Sequence, residues 1–275
     1  MTDELRSFRF GVVVAGPPDG DRWLDQARRV ESLGYATLLL PDTLSTPSPF
    51  VALASAAAVT NTLRVGTWVL AAPLRMPGVV VRDTATLHAL SGGRFELGLG
   101  AGRPGGDGDG PPLGATWGSP GERVDRVAQT LAAVHERLGD TVPLVLAGAG
   151  PRMLALAGAY ATSLALPVPP LATVTEVADL ASRARAATGK QCADLELGLQ
   201  LVGVGDVVSP YVARRLHLSG ADLRDRGVAG WVPKDPSAAV DTLRSLQEET
   251  GVSYLTVPIE VSEMMAPVVA ALAGG

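Results

Sequence analysis

Cysteine is almost absent: Cys192 stands alone in 275 residues, which excludes an internal disulfide and fits a reducing compartment. Histidine is nearly as scarce, and His88, His135 and His217 all fall in segments that read as helices, away from strand exits. No His/Cys/Asp/Glu grouping has the spacing of a metal site, and no GxSxG elbow or other nucleophile signature occurs. The net charge of −5 is spread along the chain, with neither a basic footprint for nucleic acid nor a Lys/Arg cluster for a membrane surface. Apolar runs break at Gly, Pro or a charge before the roughly 18 residues of a membrane span. The opening MTDELRSFRF starts acidic and lacks the apolar core of a signal peptide. The expectation is a cytoplasmic protein, one domain over residues 1–275, that handles a small-molecule substrate.

What is present is alternation. Hydrophobic residues make up 47% of the chain, and they fall in short apolar runs separated by stretches with helical spacing. Strands are expected at Phe8–Val14, Ala36–Leu40, Leu63–Leu70, Arg94–Leu99, Val142–Ala147, Thr162–Leu166, Leu195–Val204 and Val252–Pro258. Between them lie helices at Asp21–Leu33, with Asp21 as N-cap, and at Phe50–Val59, Val79–Leu90, Pro120–Leu138, Pro151–Tyr160 and Val174–Ala187. Helical segments near Pro210–Leu218 and at Pro236–Glu249 precede the last strand, and Glu260–Leu272 closes the chain. Eight βα units in one α/β domain predict a (β/α)8 TIM barrel; a doubly wound open sheet is the competing architecture. In either, ligands bind at the carboxyl ends of the strands.

The longest informative stretch is Leu63–Gly102, a strand, helix and strand ending in the run Gly98-Leu99-Gly100-Ala101-Gly102. The segment from Gly100 to Gly105 matches GxGxxG, but a Gly/Asp/Pro loop follows instead of a helix, so the dinucleotide fingerprint fails. That loop, Arg103–Ser119, lies on the fourth strand's exit and reads as a surface loop or a lid. Pro167–Pro170 forms a second Pro-rich turn at the sixth exit. The better anion candidate is Gly148-Ala149-Gly150-Pro151-Arg152-Met153, where a strand enters a helix with Pro in its first turn. Free N–H groups there, with Arg152, suit a single phosphate; a tight strand–helix turn is the structural alternative. Asp42, at the second exit, reads equally as an orienting acceptor or a turn cap. Trp68 and Val69 fit packing or a pocket wall, and Gln200 is a pocket candidate on one face with Glu196. So few acid–base candidates at the mouth point to chemistry carried by a bound cofactor.

These residues resemble the bacterial luciferase-like superfamily of flavin monooxygenases and F420-dependent oxidoreductases. The similar pieces are Ala27–Tyr35 (ARRVESLGY), Leu63–Leu70 (LRVGTWVL), Ala85–Gly102 (ATLHALSGGRFELGLGAG), Pro120–Arg126 (PGERVDR), Gly148–Leu154 (GAGPRML) and, more weakly, Glu249–Leu255. The resemblance implies a TIM barrel with the cofactor ring in its mouth and the cofactor phosphate at Gly148–Met153. It places Asp42, Thr43, Trp68, Val69, Ala101 and Gly102 around the ring, with an unusual peptide at Trp68–Val69, and Arg103 near an anionic tail or substrate group. It implies F420 as cofactor, with FMN as the alternative, and a homodimer. Thr43 stands where the family commonly has His, and Arg103 where some sugar-phosphate dehydrogenases have Glu, so that acid–base pair is missing. Hydride transfer with reduced F420 is the leading expectation. An FMN monooxygenase, or a barrel that has lost redox chemistry, are the alternatives.

Overall fold

The computed structural model describes residues 6–15, 20–188 and 195–273; Cys192 lies outside them. In chain order, β1 (Arg9–Val13), α1 (Gly20–Ser32) and β2 (Thr37–Leu40) lead through α2 (Pro49–Ala58) to β3 (Arg64–Thr67), which resumes two residues later as β4 (Leu70–Ala71). Next come α3 (Pro77–Leu90), β5 (Phe95–Gly100), α4 (Pro120–Leu138), β6 (Leu144–Ala147), α5 (Pro151–Tyr160), β7 (Ser163–Ala165), α6 (Val174–Thr188) and β8 (Glu196–Gln200). After them lie β9 (Gly203–Val204), β10 (Val207–Val208), α7 (Pro210–Leu216), α8 (Gly220–Asp225) and β11 (Trp231–Val232). The chain finishes with α9 (Pro236–Thr250), β12 (Val252–Pro258) and α10 (Ser262–Leu272).

The main sheet runs β3-β2-β1-β12-β8-β7-β6-β5-β4, and a β3–β5 pairing closes it. With β3 and β4 counted as one interrupted stave, this is the eight-stave parallel barrel, and the open-sheet alternative is excluded. Local chemistry explains several boundaries. Ser119 and Glu122 form a reciprocal capping box with Pro120 in the first turn, so α4 starts there. Gly251, at φ +71°, ends α9. α1 starts at Gly20, so Asp21 lies inside the helix rather than at its cap. The outer surface of the barrel and the inner faces of the helices share one core, in which Leu38, Leu97 and Leu131 are fully buried. Each such leucine contributes about 1.5–3 kcal/mol by leaving water. Among the described residues no helix is long and apolar enough to cross a membrane.

Two further expectations need correction. The seventh strand does not continue to Val204: it stops at Gln200, and β9 joins β10 and β11 in a separate three-stranded sheet. The backbone changes partners there, because the Leu201 N–H donates to the Thr256 carbonyl and the Val202 N–H to that of Gly230. Loop 103–119 is also less irregular than its composition predicts, with 3-10 turns at Asp107–Asp109 and Pro111–Leu113.

Candidate active site

The site is built around the interruption between β3 and β4. Gly66 pairs with Glu96, but Leu70 pairs with Leu99, so one extra residue is taken up on the β3 side, as in a β-bulge. The Thr67 hydroxyl replaces the lost ladder bonds, and the Trp68–Val69 peptide is cis. A β-carbon on Gly98 would collide with the Thr67 carbonyl oxygen and lie 2.9 Å from Val69 Cγ1. Glycine there lets the bulge press against β5. The displaced segment presents Trp68 and Val69 to a cavity of about 560 Å³ at the carboxyl ends of the strands.

Asp42, Thr43, Ala101, Gly102 and Arg103 also line this cavity. Asp42 caps no turn. Its carboxylate accepts Arg75 Nε at 2.8 Å and Nη2 at 2.6 Å, and the Ala71 N–H at 3.2 Å. It therefore ties the β2 exit to the end of β4. Burial alone would pull Arg75 down, but its bonds and charge contact with Asp42 hold it above the usual guanidinium value. Arg103 pairs with Asp109 at 2.9 Å within its own loop. Gly102, at φ +87°, lies under the Trp117 indole, where a β-carbon would clash. Arg123 holds this corner by donating to the carbonyls of Ala101 (2.9 Å) and Gly118 (3.0 Å). Gln200 also lines the cavity, and its Oε1 meets the Trp68 indole N–H at a long 3.4 Å.

The segment Gly148–Met153 stands beside the cavity, and only its neighbour Ala147 is among the lining residues. Gly150 is the N-cap of α5, Pro151 opens the helix and no side chain caps it, so first-turn N–H groups lack helical partners. The Met153 side chain packs against Gly148, leaving no room for a β-carbon there. Ala149 is half-buried, while Arg152 is exposed and forms an ion pair with Asp125 of α4.

Sequence reasoning missed the barrel floor. Glu196 shares a strand face with Gln200 but lies at the opposite end of the barrel. Arg9 reaches Glu96 at 2.7 Å and Glu196 at 2.5 Å, and Arg64 reaches Glu96 at 2.5 Å. The Ser163 hydroxyl donates to Glu196 at 2.7 Å. Two arginines thus neutralise two carboxylates in a mostly buried cluster. Burial would lower the Arg9 pKa, but Tyr254, Glu96 and Glu196 together raise it. The Arg9 guanidinium stacks 3.5 Å from the centroid of the Tyr254 ring, and Tyr254 meets Trp68 edge-on at 5.5 Å. Burial, then the Glu96 charge, push the Tyr254 phenol upward, so it stays neutral as a filler between floor and mouth. The available signal was a charged residue at or next to the start of each of the apolar strands RFGVV, FELGLG and ELGLQ.

A family model described as luciferase-like monooxygenase matches residues 7–204. The chain belongs to the luciferase-like monooxygenase family. Within that family it is 31% identical over 156 residues to the phthiodiolone/phenolphthiodiolone dimycocerosates ketoreductase of Mycobacterium tuberculosis, covering 48% of this chain and 40% of the relative. It is 27% identical over 187 residues to the F420-dependent glucose-6-phosphate dehydrogenase of Nakamurella multipartita, covering 56% and 54%. The matched stretches thus span about half or less of these curated relatives. Among solved structures, an F420-dependent secondary alcohol dehydrogenase in complex with an F420–acetone adduct superposes with a TM-score of 0.77 at 16% identity, covering 98% of this chain and all of the other. That likeness shows the shared barrel. Members of the luciferase-like family are oxidoreductases and monooxygenases, and both the fold and the position of the cavity agree with that membership.

Proposed function

We propose that this protein is an oxidoreductase that uses coenzyme F420, its reduced form giving a hydride to a small organic substrate or its oxidised form accepting one. One observation carries the reading. Among the described residues, the cavity is lined by three ionisable side chains, Asp42, Arg103 and Asp109, and each is engaged in an ion pair within the chain. A mouth whose acids and bases are all tied up in ion pairs is poorly equipped to activate a substrate by itself, which favours chemistry carried by a cofactor. The volume lies within the roughly 300–1,000 Å³ of small-molecule and cofactor sites. The residues suit a flat ring: Trp68 and Val69 offer an apolar wall, and Ala101, Gly102 and the Trp117 indole that covers Gly102 belong to the same lining. Asp42 and Thr43, at the neighbouring β2 exit, would frame the ring beside that wall. The uncapped turn Gly148–Met153, with Ala149 and Pro151 in its first residues, would take the phosphate on its amides, assisted by Arg152. When bound, F420 would supply the hydride in its reduced form or take it up in its oxidised form; the chain's part is to hold the ring, exclude water and orient the substrate, for which Gln200 offers an amide.

The pairing of the basic residues favours a second reading. Arg75, Arg103 and Arg152 are each bound to an aspartate, which leaves none of the three unpaired for the long acidic tail of F420. FMN ends at its phosphate and has no such tail to pair. Equilibrium binding of F420 and FMN to the purified protein tests both. Tighter micromolar binding of F420 is expected. Tighter binding of FMN turns the assignment to a flavin enzyme, and binding of neither leaves a barrel that has lost redox chemistry.

A further inference from the structure

The cavity extends past the Trp68 wall into an arm between the β7–α6 connection and the small sheet. Pro167, Val168 and Pro170 form one side, and Val202, Val212 and Ala229 the other. Val212 belongs to a separate apolar cluster with Leu223 and Val228. The Ala229 N–H donates to the Ala172 carbonyl at 2.8 Å, so the two sides are joined behind the arm. Among the described residues no charged side chain lines it. Its hydroxyl, Ser209, caps α7 by accepting the Val212 N–H. Gln200 stands where arm and ring wall meet. It is exposed, and the Trp68 contact on Oε1 leaves its NH2 group for a ligand.

We infer that the substrate is a neutral aliphatic ketone or secondary alcohol, with its alkyl chain in this arm and its single oxygen at Gln200. The reaction assigned to it rests on the proposed redox role of the site; its binding does not. A phosphorylated sugar would have to leave a dianion in an arm that offers no cation, which burial strongly disfavours. An alkyl chain gains about fourfold in affinity per methylene that leaves water.

The test is equilibrium titration of the purified full chain, with and without F420, against 2-butanone, 2-hexanone, 2-octanone and glucose 6-phosphate. Affinity is expected to climb about fourfold per methylene through the ketones, with no saturable binding of glucose 6-phosphate at millimolar concentration. Val168→Asp, on a half-buried loop position packed against the core, should lower the melting temperature and lose most of the chain-length dependence. A flat ketone series, tighter binding of the sugar phosphate, or an unchanged series in Val168→Asp overturns the inference. The wild-type series decides the matter even if the variant fails to fold. Binding of F420 with a flat ketone series removes the arm alone. A length-dependent series without binding of either cofactor upholds the arm and removes the oxidoreductase.

Discussion

One hydroxyl on Thr67 satisfies both backbone groups of Gly98: Thr67 Oγ1 donates to the Gly98 carbonyl at 2.7 Å and accepts the Gly98 N–H at 2.8 Å. Both residues are buried, so water has no access to replace those bonds. Thr67→Val keeps the shape and removes both. It is expected to lower the unfolding free energy by about 2–4 kcal/mol, read as a lower urea midpoint. Cofactor affinity should fall with it, because Trp68 and Val69 ride on this junction.

Arg9→Ala should be more damaging. It leaves Glu96, with 3% of its side chain exposed, dependent on Arg64 alone and deprives Glu196 of its cation. Removing one partner of a buried ion pair costs about 3–5 kcal/mol. Urea is the denaturant of choice, since guanidinium would screen the pair. A loss under 1 kcal/mol would show that water reaches the floor.

Acid sensitivity should trace in part to Glu31. Its Oε1 accepts the N–H groups of Asn61 (2.7 Å), Thr62 (2.7 Å) and Leu63 (2.9 Å), tying α1 to the start of β3. Burial alone would raise this carboxyl, but the three donors outweigh it and hold it below its ordinary value of 4.5. A carboxyl lowered by folding stabilises above its unfolded pKa and loses that contribution as pH falls through the lower folded value. Glu31→Gln should therefore be less stable than wild type by about 1 kcal/mol at neutral pH. The two should converge as the pH falls from 4.5 through the lower folded value, measured by urea unfolding across the acid range.

Arg152 separates a structural from a binding role. Its pair with Asp125 is exposed, with 60% and 55% of the side chains accessible, so Arg152→Ala should change stability by less than about 1 kcal/mol. If the guanidinium turns to a cofactor phosphate, the same variant should weaken cofactor binding by about 1.5–3 kcal/mol, which is tenfold or more. An unchanged dissociation constant removes it from the site.

The barrel is readable from sequence because strand and helix periods alternate and the punctuation is local. Ser119, Pro120 and Gly139 bracket α4, Pro151 opens α5, and β12 runs over Val252–Pro258, the range its apolar run predicts. The misreadings arise where distant partners decide. Leu195–Val204 alternates without a break, and only the bonds to Thr256 and Gly230 divide it. The interruption after Thr67 depends on Gly98, thirty-one residues away. The Trp117 indole settles over Gly102 and Gly106, and the small size of those glycines was its one trace. Arg9, Glu96 and Glu196 are visible as charges near strand starts, but their pairing exists only once the sheet closes on itself.

Below Trp68 the barrel is filled by Tyr254 and, under it, by the paired charges of Arg9, Glu96 and Glu196. The cavity is therefore a cul-de-sac whose doorway is the rim of the strands. Two molecules that react inside it must share that doorway, so the one lodged deeper against Trp68 arrives first and departs last. Under the proposed reaction, coenzyme and substrate would therefore enter in a set order.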